Sequence, residues 1–531
     1  MVSESNQSAA LPRAPYTYNL AQAFYRIVRA RGNATALRFP HGETVSFKEL
    51  NRLSNRMARA FRAAGARRGD VICILNNKSS RAFAAMLACL KIGAPYVNLD
   101  VTSPPERVEK MLDTCAPALL LLDGAQRPVR PGGAGFDIAS FDLASPEFSK
   151  LTERQQAEDL PESAEITGAD PAYIMFTSGS TGFPKGAVMS HGNVLNFIGW
   201  ARETFAVSQG DVFTNVNPIY FDNSVFDFYA SLFSGATLCP FGARFLTEPL
   251  NLVRAVNDLE CTVWFSVPSL LVYLLTLRAL GPDDFSSVTR VIFGGEGFPK
   301  NKLRELYRRI GDRTRLINVY GPTECTCICS AYAISREEAE DQSRLAPLGR
   351  MAPNFGFRID PVSGDPSFGE LLISGPNVGL GYFNDPGRTE KAFIQDPGES
   401  RYTRVVYRTG DLVHADEDGT LHFRGRADNQ IKHMGHRIEL EEIEAAFTGL
   451  GYIDEVAVVY RNPPAGKRPG GEPGRIVAFV GCLNEKPVRE VLNDVKDKLP
   501  PYMVPKEVRM MQLLPKNANG KIDRARLNSM D

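Results

Sequence analysis

Short apolar runs alternate with helix-like stretches along most of this chain. Each run has the length of a buried β-strand, and the clearest are found at 172–176, 262–267, 290–293, 315–320 and 370–374. The stretch at 301–310 has the composition and spacing of an amphipathic helix. Repeated alternation of strands with helices predicts an α/β fold built in layers.

One helix near the N-terminus can be predicted from its boundary residues. Ser46 and Glu49 have the spacing of a capping box, in which each side chain bonds the other's backbone amide. Apolar residues then follow at helical spacing, at Leu50, Leu53, Met57, Phe61 and Ala64. We therefore expect an amphipathic helix to begin immediately after Ser46.

Length and charge limit the class of protein. With 531 residues the chain exceeds one ordinary domain, so we expect a large layered body or two to three packed units. Its 61 basic and 61 acidic residues leave no net charge, which gives no indication of a nucleic acid or membrane partner. The N-terminal residues have no basic segment followed by an apolar core, and no apolar run approaches about 20 residues. We expect a cytoplasmic protein.

The cysteines give little indication of disulfides or metal. Nine cysteines are spread along the chain, and we expect most to be buried reduced thiols. Cys325, Cys327 and Cys329 have a spacing that could suggest a metal, but no neighbouring histidine or CxxC pair completes a ligand set. Their period of two predicts instead that they alternate along one strand.

Loops and a domain boundary can be placed by composition. The segments 124–135 and 462–474 are rich in Pro and Gly, and we expect both to be surface loops. The second lies between apolar runs at 456–460 and 475–483, so it connects two strands of a small C-terminal unit. A boundary is expected near 426–430, before a helical pattern over 440–450.

A hydroxyl- and glycine-rich loop, FTSGSTGFPKG, occupies 176–186 directly after an apolar run. Its glycines allow backbone amides to approach phosphate oxygens, its hydroxyls add donors, and Lys185 adds a positive charge. The order of residues differs from that of a Walker A loop. From the loop alone, an ordinary Ser/Gly turn is the alternative.

Further motifs follow this loop in a fixed order. They are YGPTE at 320–324, GEL at 369–371 with GY at 381–382, YRTGDL at 407–412, GRAD at 425–428, and NGKID at 519–523 after LPPYMVP at 499–505. With these motifs the sequence closely resembles the adenylate-forming superfamily, which contains nonribosomal peptide adenylation domains, acyl-CoA synthetases and luciferases. The resemblance implies a large multi-layered α/β N-terminal domain, residues 1–427, and a small mobile α+β C-terminal domain, residues 428–531.

The resemblance also implies substrates and site residues for ATP and Mg²⁺. Tyr320 would stack on adenine, Asp411 would accept hydrogen bonds from the ribose hydroxyls, and Arg426 would contact ribose or phosphate. The implied catalytic residues are Lys185, Thr323 at the α-phosphate, Glu324 as the Mg²⁺ ligand, and Lys521, which would stabilise charge as pyrophosphate leaves. The other implied nucleotide-binding positions are Thr177, Ser178, Gly179, Ser180, Thr181, Gly182, Gly295, Glu296, Asn318 and Gly321.

The acid substrate is indicated by the segment 221–226. In the family's matching pocket motif an aspartate pairs with the substrate's α-ammonium group, and Asp222 occupies that position; a capping aspartate at a turn is the alternative. The implied side-chain wall consists of Asn223, Phe226, Phe265, Ile292, Gly294, Val319, Cys327 and Ile328. This mostly apolar wall disfavours a charged side chain. Isoleucine, valine, alanine and proline remain open.

The expected activity is that of a freestanding amino acid ligase. Only ten residues follow Lys521, so the aminoacyl group is expected to pass to phosphopantetheine on a separate carrier protein, as in D-alanine-to-carrier ligases. The rivals are an acyl-CoA synthetase, a luciferase-like oxidoreductase and a non-catalytic protein that keeps the fold. Asp222 argues against the first two, and the intact motifs argue against the third. The pathway, carrier, stereochemistry and oligomeric state stay open.

The resemblance implies that one site performs two reactions by rotation of the C-terminal domain. Asp428 would be the hinge, although it could merely cap a turn. After rotation, residues 431–437 would face the active site, with Lys432 beside it and Gly435 allowing a pantetheine arm to pass close to the backbone.

Overall fold

The computed structural model describes residues 16–128, 135–179, 183–362, 364–461, 474–481, 486–516 and 522–530. Over these residues the chain forms a larger N-terminal α/β domain with three sheets and a smaller C-terminal domain. The predicted fold class is therefore confirmed. No helix among the described residues combines the length and apolar character needed to cross a bilayer.

Two sheets form the body of the N-terminal domain. Their strands are β1 (Thr35–Arg38), β2 (Thr44–Ser46), β3 (Ile72–Leu75), β4 (Tyr96–Leu99), β5 (Leu119–Leu122), β6 (Ala139–Asp142), β7 (Pro171–Thr177), β8 (Lys185–Ser190), β9 (Val212–Asn215), β10 (Thr237–Pro240), β11 (Val263–Ser266), β12 (Arg290–Gly294), β13 (Arg315–Tyr320), β14 (Ser330–Ala333) and β15 (Arg350–Met351). One sheet has the order β6-β5-β3-β4-β7-β8, with β8 antiparallel to β7 and the other pairs parallel. The other has the order β15-β14-β13-β12-β11-β9-β10-β1-β2 and is parallel from β13 to β1.

The N-terminal domain also contains helices, most of which follow strands of these two sheets. They are α1 (Leu20–Arg31), α2 (Phe47–Ala63), α3 (Ser80–Ile92), α4 (Pro105–Cys115), α5 (Pro146–Glu153), α6 (His191–Thr204), α7 (Asn223–Val225), α8 (Ala243–Thr247), α9 (Pro249–Asp258), α10 (Pro268–Thr276), α11 (Lys300–Ile310), α12 (Arg336–Glu340) and α13 (Pro386–Ala392). Helix α2 begins with the predicted capping box between Ser46 and Glu49. Leu50, Met57 and Phe61 lie in the main core, as their spacing predicts.

The third sheet and the C-terminal domain follow in the chain. The sheet contains the antiparallel strands β16 (Gly356–Pro361), β17 (Phe368–Ser374), β18 (Phe393–Gln395), β19 (Val405–Ala415) and β20 (Leu421–Arg426). The C-terminal domain contains β21 (Gln430–His433), β22 (His436–Glu439), α14 (Leu440–Thr448), β23 (Glu455–Arg461), β24 (Arg475–Gly481), α15 (Val488–Lys496), β25 (Glu507–Met511) and α16 (Arg524–Ser529). β21 and β22 form a hairpin, which we call the docking hairpin, and β23, β24 and β25 form a sheet.

The predicted strands and helices agree with these elements. The apolar runs at 172–176, 290–293 and 315–320 lie in β7, β12 and β13, and the pattern over 440–450 corresponds to α14. The two C-terminal strands predicted on either side of the 462–474 loop are β23 and β24, and they pair antiparallel to each other. Most of the loop predicted over 462–474, and part of that over 124–135, lie outside the described residues.

The prediction that three cysteines alternate on one strand is wrong. Cys325 ends a 3-10 turn, and Thr326 and Cys327 have φ angles of 60° and 74°, which a strand does not allow. Strand β14 begins only at Ser330. The cysteines of the described residues are free and buried, and no group of three or more His, Cys, Asp or Glu side chains there could hold a metal.

Candidate active site

A cavity of about 420 Å³ lies at the carboxyl ends of β7, β9, β11, β12 and β13. Parallel strands direct their carboxyl ends to the same edge of a sheet, so distant sequence segments meet there. The predicted site residues that line the cavity are Thr177, Ser178, Asp222, Asn223, Phe265, Gly294, Gly295, Val319, Tyr320, Gly321, Thr323, Cys327, Ile328, Asp411, Arg426, Lys432 and Gly435.

Some predicted residues lie elsewhere. Phe226 and Ile292 are fully buried in the core and do not line the cavity; the Phe226 ring packs edge-to-face on Phe265 at 5.2 Å. The Asn318 side chain donates to the carbonyl oxygen of Pro347 at 2.7 Å. Four predicted residues lie outside the described residues, namely Ser180, Thr181, Gly182 and Lys521.

Asp222 lines the cavity. It precedes α7, but its side chain makes no capping hydrogen bond. Instead its Oδ2 accepts a hydrogen bond of 2.5 Å from the Thr323 hydroxyl. Burial raises the pKa of the Asp222 carboxyl above its ordinary value, although this hydrogen bond opposes the shift.

The wall around Asp222 is apolar beyond the predicted positions. Cavity-lining residues that sequence reasoning missed include Met175, Val216, Pro218, Leu246, Val267, Leu270 and Tyr273. Several of these follow the ends of β9 and β11, or belong to α10, and no local pattern marks them as facing a cavity. Apolar side chains beside the partly buried carboxylate of Asp222 are suited to a cationic group attached to an apolar body.

Glu324 is fully buried, and its carboxylate already has several partners. Its Oε1 accepts a hydrogen bond from the Tyr382 hydroxyl at 2.7 Å and lies 3.6 Å from Nζ of Lys185. Its Oε2 pairs with Arg437 at 2.7 Å. Burial opposes ionisation, but Arg437 and Lys185 outweigh it and hold the pKa of Glu324 well below its usual range.

These contacts bear on the Mg²⁺ ion implied by the resemblance. A carboxylate suits Mg²⁺, but Arg437 and Lys185 here occupy the positions beside Glu324 that a divalent cation would need. As arranged, the residues do not fit the ion.

Asp411 forms a second charged cluster in the lining of the cavity. It accepts hydrogen bonds from the Tyr320 hydroxyl at 2.6 Å and from Arg426 at 2.8 Å. The ammonium of Lys432 lies 5.5 Å from the centre of the Tyr320 ring. Burial works to raise the pKa of Asp411, yet Lys432 and Arg426 lower it below its ordinary value. A carboxylate held ionised in this way is suited to accept hydroxyl donors.

The docking hairpin covers the cavity. Lys432, Met434, Gly435, His436 and Arg437 all line it. The Gly435 amide donates to Glu296 at 3.0 Å, and Glu296 also accepts from the Ser269 amide at 2.8 Å.

The loop after β7 binds the far end of the same hairpin. The Ser178 hydroxyl donates to the carbonyl oxygen of Arg437 at 2.8 Å and accepts from the Glu439 amide at 3.2 Å. The Gly179 amide donates to Glu442 at 3.2 Å, and Glu442 also pairs with Arg107. The loop that the sequence associates with phosphate thus contacts the C-terminal domain in this arrangement.

An aromatic stack borders the cavity beside Arg107. The His436 ring lies 3.8 Å from the Tyr502 ring with 2° between their planes, and the Phe221 ring meets His436 edge-on at 4.9 Å. Burial lowers the pKa of His436 to about 4, so the ring is neutral near pH 7. Sequence reasoning gave no role to His436 or Tyr502, although Tyr502 lies in the LPPYMVP motif and His436 in the segment expected to face the site.

The chain matches known families and proteins over most of its length. The family model described as AMP-binding enzyme matches residues 24–383, and the one described as AMP-binding enzyme C-terminal domain matches 442–521. An L-proline–(L-prolyl-carrier protein) ligase of Pseudomonas fluorescens is 32% identical over 91% of this chain and 93% of its own length. A D-alanine–D-alanyl carrier protein ligase of Listeria monocytogenes is 32% identical over 92% of this chain and 94% of its own.

A solved structure has the same fold. NpsA-ThdA, an artificially fused adenylation–PCP di-domain from Klebsiella oxytoca, superposes with a TM-score of 0.79, covering 93% of this chain and 94% of that one. It is 22% identical in sequence.

Proposed function

The chain belongs to the AMP-binding enzyme family, and from this premise we propose that it is an ATP-dependent ligase that activates an amino acid. It forms aminoacyl-AMP with release of pyrophosphate, and then passes the aminoacyl group to the phosphopantetheine thiol of a separate carrier protein. Its similarity to proline and D-alanine carrier protein ligases along nearly their whole lengths supports this activity.

The observation that carries the proposal is the partly buried carboxylate of Asp222, which lines the cavity beside apolar side chains such as Phe265, Val319 and Ile328. A buried carboxylate is costly to keep unless a cation or several donors meet it, and Thr323 supplies one hydrogen bond. The α-ammonium group of an amino acid supplies both charge and donors. A plain carboxylic acid offers neither, which disfavours the acyl-CoA synthetase alternative.

The surrounding wall favours an apolar side chain. Phe265, Val319 and Ile328 line the cavity with Gly294, and Asp222 provides the carboxylate for the amino group. A charged substrate side chain would lose its hydration against this wall without a partner. Small to medium apolar amino acids such as isoleucine, valine, alanine or proline are therefore the proposed substrates.

The nucleotide is proposed to occupy the other end of the cavity. Tyr320 would face the adenine, Asp411 would accept hydrogen bonds from the ribose hydroxyls, and Arg426 and Thr323 would serve the phosphate. Mg²⁺ is proposed as the companion of ATP, with Glu324 as its ligand only when the Arg437 guanidinium has moved away.

The two proposed half-reactions place different demands on the residues. In the first, a carboxylate oxygen of the amino acid attacks the α-phosphorus and the bond to pyrophosphate breaks; Lys521 and Lys185 would stabilise the spreading negative charge. In the second, the carrier thiolate attacks the carbonyl carbon and the bond to AMP breaks. The docking hairpin, with Lys432 and Gly435 over the cavity, is proposed to form the thiol's approach.

The domain boundary is proposed between residues 427 and 428. Strand β20 ends at Arg426 and β21 begins at Gln430, so the chain passes from one domain to the other within three residues. Asp428 lies in this connection, where a change of backbone dihedrals can rotate one domain against the other.

The test of the function is amino-acid-dependent pyrophosphate exchange across a panel of acids. We expect strong exchange with one or a few apolar amino acids and little with their deaminated or charged counterparts. Transfer is then measured with phosphopantetheinylated carrier protein and with free CoA. Better exchange with deaminated acids, together with transfer to CoA alone, would establish the acyl-CoA synthetase alternative.

Lys521→Ala should abolish most exchange while leaving the melting temperature unchanged. A preorganised charge at a reacting phosphate is worth on the order of a hundredfold or more in rate, whereas most substitutions away from a core or a buried polar network change stability little. Lys516→Ala is the matched control, because Lys516 is a half-exposed lysine nearby whose partner is Glu455. Exchange by Lys521→Ala within about twofold of the control would remove Lys521 from the mechanism.

A further inference from the structure

Thr323 lines the cavity, and its hydroxyl bonds Asp222. Thr323 begins the 3-10 turn that ends at Cys325, and the turn is closed by a 2.9 Å bond from the Cys325 amide to the carbonyl oxygen of Pro322. The side chain is buried, and its hydroxyl donates to Asp222 at 2.5 Å. Backbone contacts of the turn therefore set the position of the Thr323 side chain. Among the described residues, its hydroxyl has one side-chain acceptor, Asp222.

A hydroxyl group has only one proton to donate. Under the proposed function Thr323 donates that proton to the α-phosphate of ATP. In this structure the proton is committed to the Asp222 carboxylate, in a charge-assisted hydrogen bond inside a buried site. Thr323 cannot make both bonds at once, so nucleotide binding must break the bond to Asp222.

An amino acid changes this competition. Its ammonium group brings a positive charge and three donors to Asp222, which then no longer depends on the Thr323 hydroxyl. The other charged groups that act on Asp222 are Glu324, Arg437 and Lys432, and all three belong to the protein whether or not an amino acid is present. The arrival of the ammonium is thus the change that releases the hydroxyl.

We propose that Thr323 couples recognition of the amino acid's ammonium group to binding of the nucleotide, so that the amino acid prepares the phosphate site. The proposal rests on the proposed function and extends it to specificity. A carboxylic acid without an ammonium leaves the Thr323 hydroxyl bound to Asp222. The enzyme then binds both that acid and the nucleotide phosphate less tightly than it does with an amino acid. Because coupling between two ligands is reciprocal, bound nucleotide raises the affinity for the amino acid by the same factor.

The experiment measures the dissociation constant of α,β-methylene-ATP by calorimetry, with and without the amino acid selected by pyrophosphate exchange. For the wild-type protein we expect the amino acid to lower the dissociation constant of the nucleotide by roughly tenfold, within the usual range of such couplings. Asp222→Ala should bind the nucleotide tightly without amino acid, because Thr323 is free, and amino acid should add nothing. Thr323→Val, which has nearly the same shape, should bind it weakly in both conditions.

The double variant Asp222→Ala with Thr323→Val separates this coupling from simple charge removal. If Thr323 carries the effect, Asp222→Ala no longer tightens the nucleotide when Val occupies position 323. If the tightening persists in that background, removal of a negative charge explains it and the proposal fails. Thr323→Ser keeps a hydroxyl and should keep the coupling.

The proposed function and this inference can fail separately. The wild-type protein could show amino-acid-dependent exchange while its affinity for the nucleotide is the same with and without the amino acid. That result would overturn the coupling alone. No amino-acid-dependent exchange would overturn both. Melting curves of each variant identify a failure to fold, and Thr323→Ala then replaces Thr323→Val as a second variant lacking the hydroxyl.

Discussion

His191 shows how a single buried ring joins two helices. It is the first residue of α6 and is fully buried, and its Nδ1 accepts a 3.1 Å hydrogen bond from the amide of Leu20 at the start of α1. An accepting ring nitrogen must be unprotonated. Burial accordingly lowers the pKa of His191 to about 4.

This shift predicts a pH dependence of stability with a definite sign. The unfolded chain takes up a proton on His191 near pH 6.5, whereas the folded chain resists it until about pH 4. Stability from this residue is therefore complete above pH 6.5 and is lost as the pH falls towards 4, by about 2 kcal/mol between pH 7 and pH 5. His191→Asn should show a smaller loss over that interval, measured by urea unfolding of the N-terminal domain.

The control is His41→Asn, because His41 is a solvent-exposed histidine paired with Glu43. Its variant should keep the wild-type pH dependence. Equal pH dependence for wild-type protein and His191→Asn would show that the buried ring does not control stability in this range.

The docking hairpin is the element whose fit to the cavity is tightest. Gly435 has a φ of 82°, and a Cβ added there would lie 2.7 Å from the Val267 side chain at the end of β11. Both the positive φ and the close approach require glycine. Any other residue at 435 would therefore strain the docked position of the hairpin.

Gly435→Ala should impair the half-reaction that uses the docked hairpin. Overpacking costs about 1–3 kcal/mol, so the docked population should fall by roughly fivefold or more, and transfer of preformed aminoacyl-AMP to carrier protein should slow accordingly. Pyrophosphate exchange should stay within about twofold of the wild-type rate. Single-turnover transfer and exchange are measured side by side.

Gly451→Ala is the matched control for this substitution. Gly451 also has a positive φ, 69°, but no atom lies within 4 Å of a Cβ added there. Its variant carries the backbone strain without the clash and should transfer normally. If both variants lose transfer equally, strain in the C-terminal domain is responsible and the fit against Val267 is irrelevant.

Across the whole molecule, charged pairs hold the two domains in the described arrangement. Arg437 pairs with Glu324 at 2.7 Å, Lys498 pairs with Glu106 at 3.1 Å, and Arg107 pairs with Glu442. Each joins a residue of the C-terminal domain to one of the N-terminal domain. The partners of Glu324 would have to change for a cation to bind there, which links the state of the site to the position of the domain.

Asp428→Pro should separate the two half-reactions. Proline fixes φ near −65°, so residue 428 could no longer contribute a change of φ to the rotation. We expect selective loss of either pyrophosphate exchange or transfer, measured separately, with Asp428→Asn as a control that leaves the backbone free. Parallel modest losses in both reactions, at an unchanged melting temperature, would contradict the hinge assignment.

The sequence alone was sufficient for properties that depend on neighbours in the chain. Strand and helix positions follow from local periodicity, and α2 begins where Ser46 and Glu49 form their capping box. Local periodicity fails when the backbone turns: the spacing of Cys325 and Cys327 resembles a strand, but positive φ angles at 326 and 327 interrupt it. Such angles depend on packing around the turn, which no residue spacing reveals.

The tertiary structure alone decided which residues meet. Thr323 and Asp222 are 101 positions apart in the chain, yet they share a hydrogen bond because the turn after β13 and the segment before α7 lie at the same edge of the sheets. Phe226 has the pocket's spacing but lies behind Phe265, since a position within a motif does not determine which layer of side chains faces a cavity. The sequence by itself determined the alternation of strands and helices, because that alternation depends on residues close together in the chain. The contacts of Glu324 with Arg437 came only from the fold, because the long-range partner of a buried charge is set by how the domains pack.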